Sequence, residues 1–169
     1  MAELARRRRG DRTKNLVGFI IDDVHYAVDI QRVREILNPL STVPIPHAPP
    51  AVLGVADHRG EVVPILDVRT RFGLPTQAPT RRTKWILVVL GDKLVGLVVD
   101  AVTEVFGASD PDQRSVPEIG VGDGARGIAA VYAYDGKLVF VLDVDRIAAI
   151  AEVLDMSAMQ RLVEQRGEP

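Results

Sequence analysis

Residues 52–68, VLGVADHRGEVVPILDV, decide the fold of this chain. Two runs rich in Val, Ile and Leu flank the polar tetrad Asp57-His58-Arg59-Gly60, the pattern of two strands joined by a tight hairpin turn. An echo lies downstream: residues 60–68 (GEVVPILDV) and 136–144 (GKLVFVLDV) share Gly, Val, Leu, Asp and Val in place at an offset of 76 residues. A second echo precedes each copy, since Val33-Arg34-Glu35-Ile36-Leu37 is matched by Val102-Thr103-Glu104-Val105-Phe106 at an offset of 69. Gly54-Val55-Ala56 also recurs as Gly127-Ile128-Ala129. Three matches in the same order describe one structural unit used twice, with loops of different length.

Outside the hairpin the sequence reads as more short strands. Residues 16–21 and 24–28 are β-branched and aromatic runs separated by Asp22-Asp23, which predicts a hairpin over 16–29. Ile30, Val33, Ile36 and Leu37 suit a turn of helix, although VREIL also reads as a strand, and periodicity does not decide between them. Pro39, Pro44, Pro46, Pro49 and Pro50 follow, excluding helix and central strand and leaving a stiff, extended connection. Residues 67–72 predict a helical turn closed by Gly73 and Pro75, and 76–83 a polar loop that separates the two units. Strands are expected at 85–90 and 94–99 across Gly91-Asp92, with 102–106 continuing the unit and 128–134 and 137–142 closing it at Asp135-Gly136. The Gly-rich residues 107–127 read as a mobile loop by composition.

From Asp143 to Arg166 there is neither Gly nor Pro, and Ile147, Ala151, Leu154, Ala158 and Leu162 form an apolar stripe. This predicts a C-terminal helix capped near Asp143 or Asp145, its tail spanning 151–169. The expected architecture is mainly β: two small barrels or curled sheets related by an approximate two-fold, with one packing helix.

Composition bounds the function. At 169 residues and 47% hydrophobic content the chain can bury one good core or two small ones. It contains no cysteine, which excludes disulfides and thiol chemistry and fits a reducing cytoplasm. The apolar runs are far short of a membrane span, and residues 1–15 lack a signal-peptide core. A soluble, cytoplasmic protein is expected. Charge is uneven: residues 1–14 hold six basic and two acidic side chains, a net of +4, against −6 for the remainder. That arm reads as a disordered, solvated N-terminus; a weak, salt-sensitive contact with nucleic acid through Arg6, Arg7, Arg8 and Arg9 is the alternative.

Chemistry-bearing patterns are sparse. His25, His47 and His58 have no second ligand at metal spacing. Asp143 matches Asp67 at the end of the echoed strand, so capping explains it better than a metal pair with Asp145. The glycines from 120 to 127 lack the Gly-Lys-Ser/Thr pattern of a phosphate loop, and there is no Gly-x-Ser-x-Gly elbow. No catalysis, metal or cofactor is expected. What remains is a surface: Glu35 interrupts Val33, Ile36 and Leu37, and Arg59 sits in a turn with apolar flanks. Charges set among aliphatic residues suit a docking site for an amphipathic helix or sheet edge. The plainer alternatives are that Glu35 caps a turn and Arg59 points into water.

At these residues the chain resembles the CheW-like coupling proteins of bacterial chemotaxis. The resemblance covers about residues 15–150 and rests on VREIL at 33–37, Pro44-x-Pro46 with Pro49, Gly54-Val55, RGEVVPILD at 59–67, GLVVD at 96–100 with Val102, and Leu142-Asp143. It implies two intertwined, five-stranded SH3-like barrels, with a boundary near 76–84, and no enzymatic activity. It further implies a scaffold that joins the helical tip of a chemoreceptor to the regulatory domain of a histidine autokinase of the same fold. Carried over by position, the receptor contacts fall on Val33, Glu35, Gly54 and Arg59, with Ile36, Val55, Asp57, His58 and Gly60 as further interface candidates. Asp57-His58 stands where the family usually has Asn-Leu, which adds a carboxylate beside Arg59 and removes an aliphatic contact.

Overall fold

The computed structural model describes residues 13–116 and 127–149. The chain forms β1 (Lys14–Ile21), β2 (Val24–Asp29), β3 (Val33–Leu37), β4 (Val52–His58), β5 (Glu61–Asp67), β6 (Lys84–Leu90), β7 (Lys93–Val99), β8 (Ala101–Ala108), β9 (Gln113–Arg114), β10 (Ile128–Tyr134) and β11 (Lys137–Leu142). Helical turns at Val68–Arg71 and Val144–Ala148 follow β5 and β11. The strands make two sheets, ordered β8-β1-β2-β11-β10-β9 and β3-β6-β7-β5-β4. Neighbours pair antiparallel except β2 with β11 and β5 with β7, which run parallel.

The Val33–Leu37 segment is a strand, and the helical turn is confined to the preceding Ile30–Arg32, a 3-10 turn in which the Asp29 carboxylate accepts from the Gln31 N–H at 2.9 Å. Pairing with β6 settles what five residues of periodicity leave open. Gln113–Arg114 is likewise a short strand on β10, inside the stretch expected to be a loop. The polar loop around 76–84, expected to divide the barrels, joins β5 to β6 within one sheet. The chain changes sheet instead at Ile30–Arg32 and at Asp100, so the second sheet is one uninterrupted segment, residues 33–99. Residues 1–12 of the N-terminal arm and the tail at 151–169 lie outside the described residues, while Lys14, the end of the expected arm, opens β1.

Strand sequences read as near-continuous apolar runs because both faces are covered. On β6, Ile86 and Val88 enter a core shared with Val17, Phe19, Val28 and Leu142 of the other sheet, while Trp85 and Leu87 pack with Ala56, Val63 and Ile65 inside their own. Leu16, Phe106, Tyr132 and Val139 form the corresponding interior of the first sheet. Each fully buried Leu or Ile contributes about 1.5–3 kcal/mol, so the shared core locks the sheets together. Tyr26 adds a seam, its ring 5.8 Å from Phe19, 5.2 Å from Phe72 and 6.0 Å from Phe140.

Both strand ends expected to correspond do carry a capping aspartate. The Asp67 carboxylate accepts from the Arg69 N–H at 3.1 Å, and that of Asp143 from the Asp145 N–H at 3.0 Å. The Asp67 N–H donates to Ala51 O at 2.8 Å and the Asp143 N–H to Gly127 O at 2.7 Å. Gly127 therefore stands where Ala51 does, and the echo of Gly54-Val55-Ala56 in Gly127-Ile128-Ala129 is out of register by three residues. An extra residue on β4 between Val52 and Gly54, and on β10 between Ile128 and Ala130, sets Gly54 against Ala130 instead.

Two ionic clasps hold the crossings. Arg69, buried, donates to Asp100 at 2.6 Å and to Pro75 O at 3.0 Å. Arg32 grips Asp145 with two bonds of 2.6 and 3.2 Å and also donates to Val89 O. The hydrogen bond from Arg32 holds the Asp145 carboxyl below its ordinary range, and the smaller effect of burial acts the other way. A depressed folded-state value contributes stability above the unfolded carboxylate value of about 3.9, lost as pH falls through the lower folded value. Urea melts of wild type and Asp145→Asn should thus differ by a constant amount from neutrality to about pH 5 and converge below about pH 4. A gap that persists in acid would show that the carboxylate charge is not what Arg32 holds.

Candidate functional site

The turn between β4 and β5 builds the site. Arg59 and Gly60 both take positive φ, 53° and 84°, the two-residue geometry that matches strand twist in a hairpin. The Asp57 carboxylate accepts from the Gly60 N–H at 2.8 Å. Asp57 thus uses its carboxylate to close the turn. The substitution for the family's usual residue leaves Arg59 free of that carboxylate and available to another.

That other is Glu35. On β3, whose neighbour in the sheet is β6, Glu35 faces the end of β4 across the gap between the sheet's first and last strands. Its carboxylate accepts from Arg59 at 3.1 Å through one oxygen and from His58 Nε2 at 3.0 Å through the other. The His58 side chain is 13% exposed, that of Glu35 30% and that of Arg59 76%. His58 is therefore the inner brace of the cluster and Arg59 its outward face. Glu35 sits on a strand and pairs with both side chains rather than capping a turn, while Arg59, though paired, still faces solvent. Ile36 lies exposed beside them and Val33 half-buried.

Gly54 and Val55 serve differently. Val55 is buried against Val62 with Val43 and Ile45 packed over it, so its side chain offers nothing to a partner. Gly54 is buried at φ 150°, and a Cβ there would meet Val43 O at 2.3 Å. Its missing side chain admits the proline-rich connection, which bonds Val43 N–H to Val55 O at 2.8 Å and Val55 N–H to Val43 O at 2.9 Å. This strap is the part of the site that reading by position misses. The signal was there in the spacing of Pro44 and Pro46, which leaves Val43 and Ile45 as the apolar residues able to cover a strand.

The family model of the CheW-like domain matches residues 15–162. The chain belongs to the CheW-like family. Among CheW-like relatives, the chemotaxis protein CheW of Rhizobium meliloti is 36% identical over 135 residues, 79% of this chain and 86% of that one. The chemotaxis protein CheW of Helicobacter pylori is 32% identical over 131 residues, 78% of this chain and 79% of that one. Among solved structures, the scaffolding protein TtCheW from Thermoanaerobacter tengcongensis superposes with a TM-score of 0.72 at 26% identity, over 78% of this chain and 90% of that one. The CheW-like fold thus accounts for the two sheets and for a site made of side chains and a turn rather than a deep cleft.

Proposed function

We propose that this chain is a non-catalytic adaptor that couples chemoreceptors to the regulatory domain of a chemotaxis histidine kinase. The carrying observation is the Glu35–His58–Arg59 cluster, a braced pair of charges beside exposed Ile36. Such a pair offers a helix one fixed cation, with little side-chain entropy left to lose on docking. Val33, Glu35, Ile36 and Arg59 meet the helical tip of the receptor. Gly54, Val55, Asp57 and Gly60 shape the backbone behind them. Membership of the CheW-like family and the likeness to a solved scaffolding protein support the same reading.

Two five-stranded SH3-like barrels related by a pseudo-two-fold best explain the strand orders. Replacing β8, β1, β2, β11 and β10 by β3, β6, β7, β5 and β4 converts the first sheet's order into the second's, with the parallel pair in the same place. Two docking surfaces on one rigid body would let receptor state bias the kinase through differential contacts. Work in the cytoplasm at receptor arrays, meeting the membrane only through the receptor, follows from that role. Among the described residues no helix is long and apolar enough to cross a membrane. The relatives lend no support to a nucleic-acid role for the arginine run.

Purified chain mixed with a chemoreceptor cytoplasmic fragment and a kinase regulatory domain should elute with both from gel filtration as one complex. Binding to neither, or retention of nucleic acid in their place, would reject the adaptor.

A further inference from the structure

Equivalence of the two halves leaves one ion pair unmatched. β8 lies on β1 as β3 lies on β6: Phe106 faces Leu16 as Leu37 faces Trp85, Val105 faces Val17 as Ile36 faces Ile86, and Val102 faces Phe19 as Val33 faces Val88. Each of β3 and β8 carries one extra residue in the same interval. Glu104 therefore stands in the first sheet where Glu35 stands in the second. The turn between β10 and β11 repeats the one beside Arg59, since Tyr134 pairs with Lys137 as His58 pairs with Glu61, and Asp135 and Gly136 take φ of 49° and 72°. Tyr134 stands where His58 stands, and burial, with the nearby Glu104 charge, raises its phenol above the ordinary value. But Asp135 occupies the place of Arg59. Among the described residues Glu104 has no cationic partner within ion-pair distance.

Two further differences open the position. Gly18 and His25 stand where the second sheet has Leu87 and Leu94, and beside them lies a cavity of about 70 Å³, lined among others by Glu104, Phe106, Tyr134, Asp135 and Lys137. Ligand pockets usually span about 300–1,000 Å³, so this one suits the end of a single side chain. The Phe106 and Tyr134 rings stack at 4.2 Å to form one wall. The carboxylates of Glu104 and Asp135 oppose the single ammonium of Lys137 there, with His25 beside them. Against stacked aromatic rings and a carboxylate, a flat guanidinium is favoured over an ammonium because it can stack and fork at once.

We propose that this pocket is a second docking point, one that receives an arginine side chain from a partner protein. The guanidinium lies against Tyr134 and Phe106 and takes the Glu104 carboxylate, so that the partner supplies in trans the cation that Arg59 supplies in cis to Glu35.

The test uses the full chain and a small probe, N-acetyl-arginine methylamide, followed by amide NMR titration. Saturable shifts should centre on residues 103–106 and 134–137, with the lysine analogue at least threefold weaker. Glu104→Gln should abolish them. Asp135→Arg, which restores in cis the pair seen at Glu35, should block the probe while leaving the spectrum folded, and Arg59→Glu should leave the titration unchanged. Shifts spread over all surface carboxylates, or indifferent to Glu104→Gln, would overturn the site. Loss with Glu104→Gln but not with Asp135→Arg would overturn the correspondence with Arg59, and loss with Arg59→Glu would move the probe to the other turn.

Discussion

Reversing the charge of Arg59 to Glu is expected to weaken receptor-fragment binding by roughly thirtyfold or more, about 2 kcal/mol, with little change in melting temperature. The side chain is 76% exposed and its bond to Glu35 is a surface pair. Pairs of that kind contribute about 0–1 kcal/mol to stability. Bound to a helix, however, the same cation is desolvated against the partner's acceptor. A glutamate there leaves that acceptor beside a like charge and sets another against Glu35. Glu35→Lys should weaken binding similarly, since it removes the anchor that orients Arg59 and His58 and puts a cation next to both. The double variant Glu35→Lys/Arg59→Glu restores an attractive pair but with the outward charge reversed. It should melt like the wild type and still fail to bind. Calorimetric titration with receptor fragment would decide. Wild-type affinity in the folded double variant would mean that the pair matters only for fold and that the contact lies elsewhere.

The largest effect on stability is expected at Gly54. Any side chain there meets Val43 O at 2.3 Å and must also adopt φ 150°. Gly54→Val would cost about 1–3 kcal/mol in backbone strain. Displacing the strap would also break its two hydrogen bonds to Val55, at about 0.5–1.5 kcal/mol each, and uncover Val55 and Val62. A total near 3 kcal/mol or more should lower the melting temperature by roughly 6–12 °C for a chain of this size. Gly60→Ala provides the contrast: φ there is also positive but no atom lies within 4 Å of the added Cβ, so it should cost only about 1 kcal/mol. Equal losses in the two variants would show that dihedral strain alone, not contact with the strap, makes Gly54 necessary.

Most strands were legible because β-branched runs meet at Asp-Asp, Arg-Gly, Gly-Asp and Asp-Gly turns, and those dipeptides sit where the hairpins reverse. β9 was not, for two polar residues bonded to β10 carry no periodicity of their own. The false echo at Gly127 arose because Gly-Val-Ala and Gly-Ile-Ala are short, common tripeptides, whereas the pairing, with the same bulge on β4 and β10, keeps the offset of 76 that sets Gly54 with Ala130. Of the site, the resemblance singled out Glu35 and Arg59 but could not bring them together. They are 24 residues apart on strands that are not hydrogen-bonded neighbours, and only closure of the sheet makes them touch. His58 read as an isolated histidine because its partner is the same distant carboxylate. The burial of Val55 was hidden for a related reason, since its cover comes from a segment whose prolines announce only what it cannot be.

The continuity of the second sheet sets an order of events for folding. Its strands lie within residues 33–99, whereas β1 must find β8 and β2 must find β11 across the whole of that segment. Closing a flexible loop of that length costs about 4 kcal/mol in chain entropy before the β1–β8 and β2–β11 rungs are made. If the second sheet forms first, its own strands carry that cost. Nucleation is thus expected in β4–β7, with the β1–β2 hairpin waiting for its sheet neighbours until β8 and β11 arrive. During synthesis this means that the first hairpin to emerge is among the last to find its sheet neighbours, which follow only after some seventy residues. Pulsed amide exchange during refolding would see protection in β5 and β7 before β1; the reverse order would mean that the first sheet recruits the second.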